Sequence, residues 1–326
     1  MVLRTLLRIA VAGIVLALLA HRIDVHAVGA ALARTAPSAI LIAIAAAFTA
    51  NYVIAFRLKL LLASQGIAAR AAQTFAINLS AFFYNLFLPV GGVGVAALRL
   101  QGLARHSGGR YTAALTAMIC DRLAAATALG LIGLGCWWLD PHGKPAGGIV
   151  VLLAGTATLA FMLAPRVVPR QVRRFVRDLH DRGGGTWWAA VLMRVANALG
   201  AVARLSPRTI AGLVAISLVA QVPGIVVFAA LGHGLGLGIP FVSMGWLRSV
   251  VVLITILPIS VGGLGVREGT LVLLLRTFGT PPADALALSL LFFATTILAP
   301  GLAGGVVEAL IWLRPSRSDH GVVKQP

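Results

Sequence analysis

The segment LPISVGGLGVREG, at residues 257–269, combines residues that can bind a charged group with residues that interrupt a helix. Arg267 carries a permanent positive charge, and Glu268 carries a carboxylate beside it. Pro258 removes a backbone donor, so we expect a helix to stop there and to restart near Val266. The restarting helix would direct free N–H groups toward the break, where together with Arg267 they can hold a phosphate. The glycines that would let a headgroup approach the backbone are Gly262, Gly263 and Gly265.

The same two charges are also consistent with a structural role, in which Arg267 and Glu268 form an ion pair that closes the segment. Glu268 has further options, because it can pair with another cation or meet an amine on a bound headgroup. A charge at the centre of a membrane span costs about 2.5 to 3.5 kcal/mol and therefore marks functional sites. We favour the binding interpretation and keep the structural one beside it.

The composition places this segment in a membrane protein. The 326 residues are 59% hydrophobic and only 11% charged, with a mean hydropathy of +0.96, whereas about a quarter of the residues in a soluble domain are charged. The net charge of +18 does not indicate nucleic acid, because the basic residues form short stretches between apolar segments. These stretches are typical of topology signals and of contacts with anionic lipid.

Apolar runs long enough to cross a bilayer predict the fold. Two further apolar segments, 74–98 and 241–279, are broken by proline and glycine and predict re-entrant hairpins or pairs of short spans. The sequence therefore predicts an all-α polytopic membrane protein with about six full spans and two hairpins, or eight helices. The predicted spans are the N-terminal run VLRTLLRIAVAGIVLALLA and residues 38–56, 111–139, 146–164, 208–231 and 284–312.

Charge placement predicts the topology, since cytoplasmic loops gather lysine and arginine. The loop 165–207 is rich in arginine, and a second basic stretch that begins at Arg57 and Lys59 follows the span 38–56. With both of these loops inside, the segment 74–98 enters and leaves from the cytoplasm and the segment 241–279 from the outer side. Both termini, including the short tail 314–326, are then cytoplasmic.

The two broken segments resemble each other, because LPVGGVGV at 88–95 matches VGGLGV at 261–266. They predict inverted repeats at about 38–164 and 208–312, joined by the basic loop within a single membrane domain, 1–313. The alternative is that a short glycine match reflects ordinary turn chemistry. The residues expected to shape the first break are Pro89, Gly91 and Gly92.

Four further charged residues fall on apolar segments. Asp121 and Arg122 lie about ten residues into their span, and we expect them to form a buried charge pair or a tether to a hairpin rather than to contact substrate. Arg99 follows the first hairpin, where it either binds a headgroup or anchors the chain at the interface. Arg248, within the second broken segment, is a candidate phosphate ligand.

Several of these motifs resemble one family over nearly the whole chain. LPISVGGLGVREGTLVLLL, and the Asp121-Arg122 pair in AMICDRLAAA, resemble the signatures of the lysylphosphatidylglycerol synthase transmembrane, or flippase-like, family. LPVGGVGVAALRL resembles the family's Pro/Gly turn followed by an arginine, here Arg99. Members often carry an acidic residue before that arginine, and residues 94–97 supply none. Only RPSRSDHGVVKQP follows Leu313, so we do not expect the soluble aminoacyl-transferase domain of bifunctional members.

The resemblance implies lipid translocation in the bacterial inner membrane, with an anionic or aminoacylated phospholipid, or a related envelope lipid such as a polyprenyl lipid, as the cargo. No HExxH or CxxC spacing occurs, so we expect no catalysis, no metal and no cofactor. Two alternatives stay open: a membrane-embedded lipid-modifying transferase, and a scaffold of a lipid or envelope synthesis complex. The partners expected are membrane lipids and no nucleic acid, with a second copy or a lipid-synthesis enzyme as further candidates.

Overall fold

The structure, a computed structural model, is helical over the residues that it describes, with no strand among them. These residues are 25–87, 91–106, 109–140, 206–256 and 265–313, with a few isolated positions between 156 and 200. The predicted N-terminal span, most of the span 146–164 and of the basic loop 165–207, and the tail 314–326 lie outside them.

The first half begins with a short helix, which is followed by two long helices with a pair of shorter ones between them. The two shorter helices, α3 and α4, pack against each other and are called the first hairpin below. The helices are α1 (Val25–Arg34), α2 (Pro37–Ser64), α3 (Ala71–Phe87), α4 (Gly91–His106) and α5 (Tyr111–Leu139).

The second half repeats this order from its first long helix onward. Its shorter helices, α7 and α8, also pack against each other and are called the second hairpin. A 3₁₀ turn at Arg276–Phe278 follows α8, and a π-helical turn at Ala294–Leu298 joins the last two helices into one span. The helices are α6 (Pro207–Gly234), α7 (Phe241–Ile256), α8 (Val266–Leu275), α9 (Pro282–Phe293) and α10 (Ala299–Trp312).

Four of the described helices are long and apolar enough to cross a membrane, and each overlaps a predicted span. The shorter helix Phe241–Thr255 is also apolar. The prediction of an all-α membrane protein is therefore confirmed. The four helices are Pro37–Ser64, Tyr111–Leu139, Arg208–Gly234 and Pro282–Trp312.

The span predicted at 38–56 continues beyond its predicted end, because α2 runs to Ser64. Arg57 therefore lies inside the helix and is only 1% exposed, so the prediction of a loop at Arg57 is wrong. A lone guanidinium inside a membrane helix is unfavourable, and Asp121 on α5 supplies the counter-charge by accepting a hydrogen bond from Arg57.

Both broken segments contain two described helices with a predicted break between them. In the first hairpin α3 ends at Phe87 and α4 begins at Gly91, and in the second α7 ends at Ile256 and α8 begins at Val266. Gly265 has φ of +80°, which favours glycine, and α8 begins directly after it. The predicted restart of a helix near Val266 is confirmed. The predicted break residues at 88–90 and 257–264, with Pro89, Pro258, Gly262 and Gly263, lie outside the described residues.

The two halves share backbone features at the same spacing along the chain. Each first long helix begins with proline, and a glycine with positive φ follows both this helix and the hairpin. Each of these features in the first half has a counterpart in the second half, always the same number of residues later in the chain. The paired residues therefore mark equivalent positions. The pairs are Pro37 and Pro207, Gly66 and Gly236, and Gly109 and Gly279.

The equivalent helices α2 and α6 are antiparallel. Ala36 N, just before α2, donates to Gly234 O at the end of α6 at 3.3 Å, whereas Arg57 near the other end of α2 reaches Ser217 in the first part of α6. The halves are thus inverted relative to each other.

The two halves also pack against each other, since α5 contacts α7 and α10 contacts α3. Glycine permits the close approach at both places. A Cβ added at Gly133 would lie 2.8 Å from Ser249 Cβ, and one added at Gly301 would lie 2.6 Å from Leu86 Cδ1. Each hairpin is therefore held in part by a long span of the other half.

Candidate functional site

A buried ion pair connects three helices near the first hairpin. Asp121 Oδ1 on α5 accepts from Arg57 Nε at 2.9 Å and lies 2.8 Å from Arg57 Nη2. Arg57 Nη1 donates to Ser217 Oγ on α6, also at 2.9 Å. Because Asp121 is only 2% exposed, this pair depends on the protein rather than on water for its stabilisation.

Arg99 on α4 adds a second guanidinium to the same carboxylate. Its Nη2 lies 3.8 Å from Asp121 Oδ2, which is too far for a hydrogen bond. The side chain is buried, and its Nε and Nη2 atoms have no hydrogen-bond partner among the residues described. Two guanidiniums thus share one carboxylate, and one of them keeps unused donors inside the protein.

Arg122 does not form an ion pair with Asp121. It is exposed, whereas Asp121 is buried, because consecutive residues of an α-helix point about 100° apart. The expected buried pair between Asp121 and Arg122 is therefore wrong, and Arg57 takes the place of Arg122. The alternative expectation, a tether to a hairpin, agrees with the contact between Asp121 and Arg99.

Arg248 on α7 is linked to the next turn of α5 and α6. Its Nη1 donates to Gln221 Oε1 at 3.0 Å, and Gln221 Nε2 donates to Ala125 O at 3.3 Å. Gln221 follows Ser217 by one helical turn, and Ala125 follows Asp121 by one turn. In the part of the chain that the structure describes, no carboxylate pairs with Arg248, and its buried Nε lacks a hydrogen-bond partner.

The charges of the second hairpin form a closed network. Arg267 Nε donates to Glu268 Oε1 at 3.1 Å and to Ser289 Oγ at 2.8 Å, and Ser289 donates to the same carboxylate oxygen at 3.0 Å. Arg267 Nη2 also pairs with Glu268, and the guanidinium lies 5.2 Å from the centre of the Phe293 ring. Glu268 Oε2 accepts from Gly265 N at 2.7 Å and so caps α8.

This network agrees with the structural alternative for Arg267 and Glu268, since their charges balance and both side chains are buried. The Gly265 N–H, at the helix start expected to bind phosphate, is already bonded to the chain's own carboxylate. Gly91 and Gly92 are the first two residues of α4. The predicted site residues outside the described part of the chain are Pro89, Pro258, Gly262 and Gly263.

Sequence reasoning missed two partners in these networks, Ser217 and Ser289. Serine hydroxyls are common on apolar helices, where they bond a carbonyl of the preceding turn, so nothing in their spacing distinguishes them. Arg57 gave a usable signal, because the apolar residues 60–62 continue the helix beyond it. An arginine inside a continuing apolar run indicates a buried partner.

The structure also contains a cavity of about 760 Å³ between α3, α4 and α10. Its polar lining residues come from all three helices, and Tyr84 Oη donates to Glu308 Oε2 at 3.2 Å. Sequence analysis did not single out this place, although a lone glutamate in the last span was a signal. The polar lining residues are Gln73, Ser80, Tyr84, Gln101 and Glu308. Among the described residues, no group of three or more His, Cys, Asp or Glu side chains could hold a metal ion.

Comparison with known proteins identifies the family. The family model described as "Lysylphosphatidylglycerol synthase TM region" matches residues 5–304. No curated protein and no solved structure gives a significant match. Because the family match covers well over half of the chain and includes both hairpins, the protein belongs to the family of lysylphosphatidylglycerol synthase TM regions.

Proposed function

We propose that the protein translocates a membrane lipid, namely an anionic or aminoacylated phospholipid or a related envelope lipid, across the bacterial inner membrane. Membership of a family named for lysylphosphatidylglycerol synthase supports a role in lipid handling. The observation that carries the proposal is the excess of positive charge around the contact between α5 and α6. Arg57 and Arg99 share the single carboxylate of Asp121 there, and Arg248 bonds Gln221 one helical turn further along α6.

A lipid phosphate would complement the unpaired hydrogen-bond donors of this region. Arg99 and Arg248 each keep buried N–H donors without an acceptor, and leaving such donors unpaired is unfavourable. Phosphate oxygens match the fork of a guanidinium in both geometry and charge. A headgroup that reaches these arginines therefore gains hydrogen bonds that the protein alone does not supply.

The inverted halves support a route for the headgroup. In proteins built from inverted repeats, movement of one repeat against the other exposes a central site to each side in turn. Only the headgroup passes through the protein, while the acyl chains stay in the bilayer. Asp121 keeps Arg57 and Arg99 together during this movement. In the proposed topology both termini are cytoplasmic, and the hairpins are re-entrant from opposite sides.

The test is a scrambling assay with the full chain in liposomes that carry fluorescent phosphatidylglycerol in both leaflets. A membrane-impermeant quencher is expected to remove about half of the signal in empty liposomes and more than half with the protein. Arg99→Gln and Arg248→Gln are expected to slow the additional phase about tenfold, which corresponds to loss of a charged hydrogen bond. Arg276→Gln, at an exposed position outside the cluster, is the matched control and should retain the wild-type rate.

Two results would contradict the proposal. One is equal quenching in protein-containing and empty liposomes, for phosphatidylglycerol and for an aminoacylated or polyprenyl lipid in turn. The other is equal rates for the Arg99, Arg248 and Arg276 variants. A lipid product of changed mass after incubation with a donor would favour the transferase alternative instead.

A further inference from the structure

The cavity between α3, α4 and α10 is separate from the arginine cluster. Leu98, Gln101 and Gly102 of α4 line the cavity, whereas Arg99 on the same helix approaches Asp121 of α5. The helix α4 therefore has a negative neighbour, Glu308, on its cavity side and a positively charged cluster on its other side. Nothing in the proposed phosphate route uses the cavity.

Among the described residues that line the cavity, Glu308 is the only ionisable group that is charged at neutral pH. Within the described part of the chain, no lysine, arginine or histidine forms an ion pair with it. Among the described residues, its hydrogen-bond partner is the Tyr84 hydroxyl, which donates a hydrogen bond but brings no charge. A half-buried carboxylate in an apolar helix is stabilised most by a cation that also donates hydrogen bonds.

We propose that this cavity binds the primary ammonium group of a membrane lipid, with Glu308 as its counter-ion. An ammonium has three N–H donors, and the lining residues Gln73, Ser80 and Gln101 provide further oxygen acceptors beside the carboxylate. The volume of about 760 Å³ lies within the range of small-molecule sites. A headgroup that has a phosphate and no ammonium would be repelled by Glu308, so the site has the opposite charge preference to the arginine cluster.

The surface around the cavity indicates that the ligand is a lipid rather than a free amine. Leu310 and Ile311 belong both to the cavity lining and to an exposed apolar face of α10. Along the same face as Leu310, one and two turns earlier, Val306 is 62% exposed and Leu302 is 60% exposed. The cavity is thus continuous with a surface that suits acyl chains, and a lipid can place its headgroup inside while its chains remain on α10.

This proposal is about lipid binding, and it does not depend on whether the protein translocates lipid. The test is native mass spectrometry of the purified full chain with phosphatidylethanolamine, phosphatidylcholine or phosphatidylglycerol at equal concentration. Phosphatidylethanolamine is expected to bind most tightly through the cavity, since the trimethylated ammonium of phosphatidylcholine has no N–H donor. Glu308→Gln is expected to weaken the binding of phosphatidylethanolamine about tenfold and to leave phosphatidylglycerol unchanged.

Two variants keep this test independent of folding defects. Ala72→Trp places a large side chain at an exposed position of the lining, keeps the carboxylate and is expected to remove the same preference. Asp284→Asn removes a carboxylate that pairs with Arg34 at the protein surface and should leave the preference intact. An unchanged ratio of phosphatidylethanolamine to phosphatidylcholine in either cavity variant would overturn the site. Displacement of the lipid by an equal concentration of ethanolamine would overturn the lipid assignment.

Discussion

The two hairpins occupy equivalent positions in the inverted halves, yet their charges are neutralised in different ways. At the second hairpin, Arg267 and Glu268 are consecutive residues, and their charges cancel within a single turn of α8. At the first hairpin, the charges come from α2, α4 and α5, and one carboxylate serves two guanidiniums. A local pair persists wherever its helix moves, whereas the three-helix cluster exists only while those helices keep their positions.

The charges of the second hairpin are used within the protein, whereas some of the charge near the first hairpin remains available to a ligand. The second network uses both carboxylate oxygens of Glu268 and caps its helix. The first leaves buried donors of Arg99 without acceptors. Substitutions in the second network should therefore affect mainly folding. In the first network, some substitutions should affect folding and others should affect lipid transport.

The largest loss of stability is expected for Asp121→Asn. The change leaves Arg57 and Arg99 buried without a counter-charge, and removal of one partner from a buried ion pair destabilises by about 3 to 5 kcal/mol. We expect a value near the upper end, because two cations lose their partner. Reversible unfolding in mixed micelles measures the free energy. A loss below about 1 kcal/mol would show that the cluster is solvated.

A smaller loss, near the lower end of the same range of about 3 to 5 kcal/mol, is expected for Glu268→Gln. Here one cation, Arg267, loses its partner, and the new amide oxygen can still accept from Gly265 N. The double variant Arg267→Met/Glu268→Gln should recover most of the loss, because it leaves no uncompensated charge. Additive losses in this double-mutant cycle would mean that the two residues do not act as a pair.

The ion pairs show where sequence prediction succeeds and where it stops. Apolar length predicts the spans, and the glycines before Val266 predict the start of α8, because both effects depend on neighbouring residues. The partner of Arg57 is 64 positions away in the chain, and the topology rule that places arginines in loops ignores such a partner. Likewise, the sequence pair Asp121-Arg122 does not reveal that only Asp121 faces the protein interior.

The cavity around Glu308 was not predictable in the same way. Its lining comes from the first hairpin and from α10, and Tyr84 and Glu308 are 224 positions apart in the chain, so no local pattern contains it. The opposite orientation of the hairpins stays a prediction from the repeated glycines and the basic loop, with which the antiparallel course of α2 and α6 agrees. Prediction from this sequence therefore reaches the helices and their order, and it fails for contacts between helices.

Two serine substitutions give a matched comparison of the networks. Ser289 bonds both Arg267 and Glu268, whereas Ser217 bonds Arg57 and a carbonyl of its own helix. Ser289→Ala is expected to destabilise by about 2 kcal/mol and Ser217→Ala by about 1 kcal/mol, since hydrogen bonds to charged groups are the stronger ones. Thermal unfolding of the two variants under identical conditions ranks them, and the reverse order would contradict the described difference.

The smallest effect on stability is expected for Arg99→Gln. Its guanidinium is buried with unused donors and lies 3.8 Å from the carboxylate, so its removal should change the unfolding free energy by less than about 1 kcal/mol. The same variant is expected to transport lipid slowly. Unfolding and scrambling measured on one preparation separate the two effects, and a large loss of stability with unchanged transport would assign Arg99 to the scaffold.

The π-helical turn in the last span has a mechanical consequence. A π turn closes its hydrogen bonds over one more residue than an α turn, so it displaces the side chains that follow it around the helix axis. Before the turn, α9 packs against α8 of the second hairpin, and after it α10 packs against α3 of the first. The last span therefore contacts both hairpins. A bend at Ala294–Leu298 would change the packing of α9 against the second hairpin and of α10 against the first hairpin at the same time.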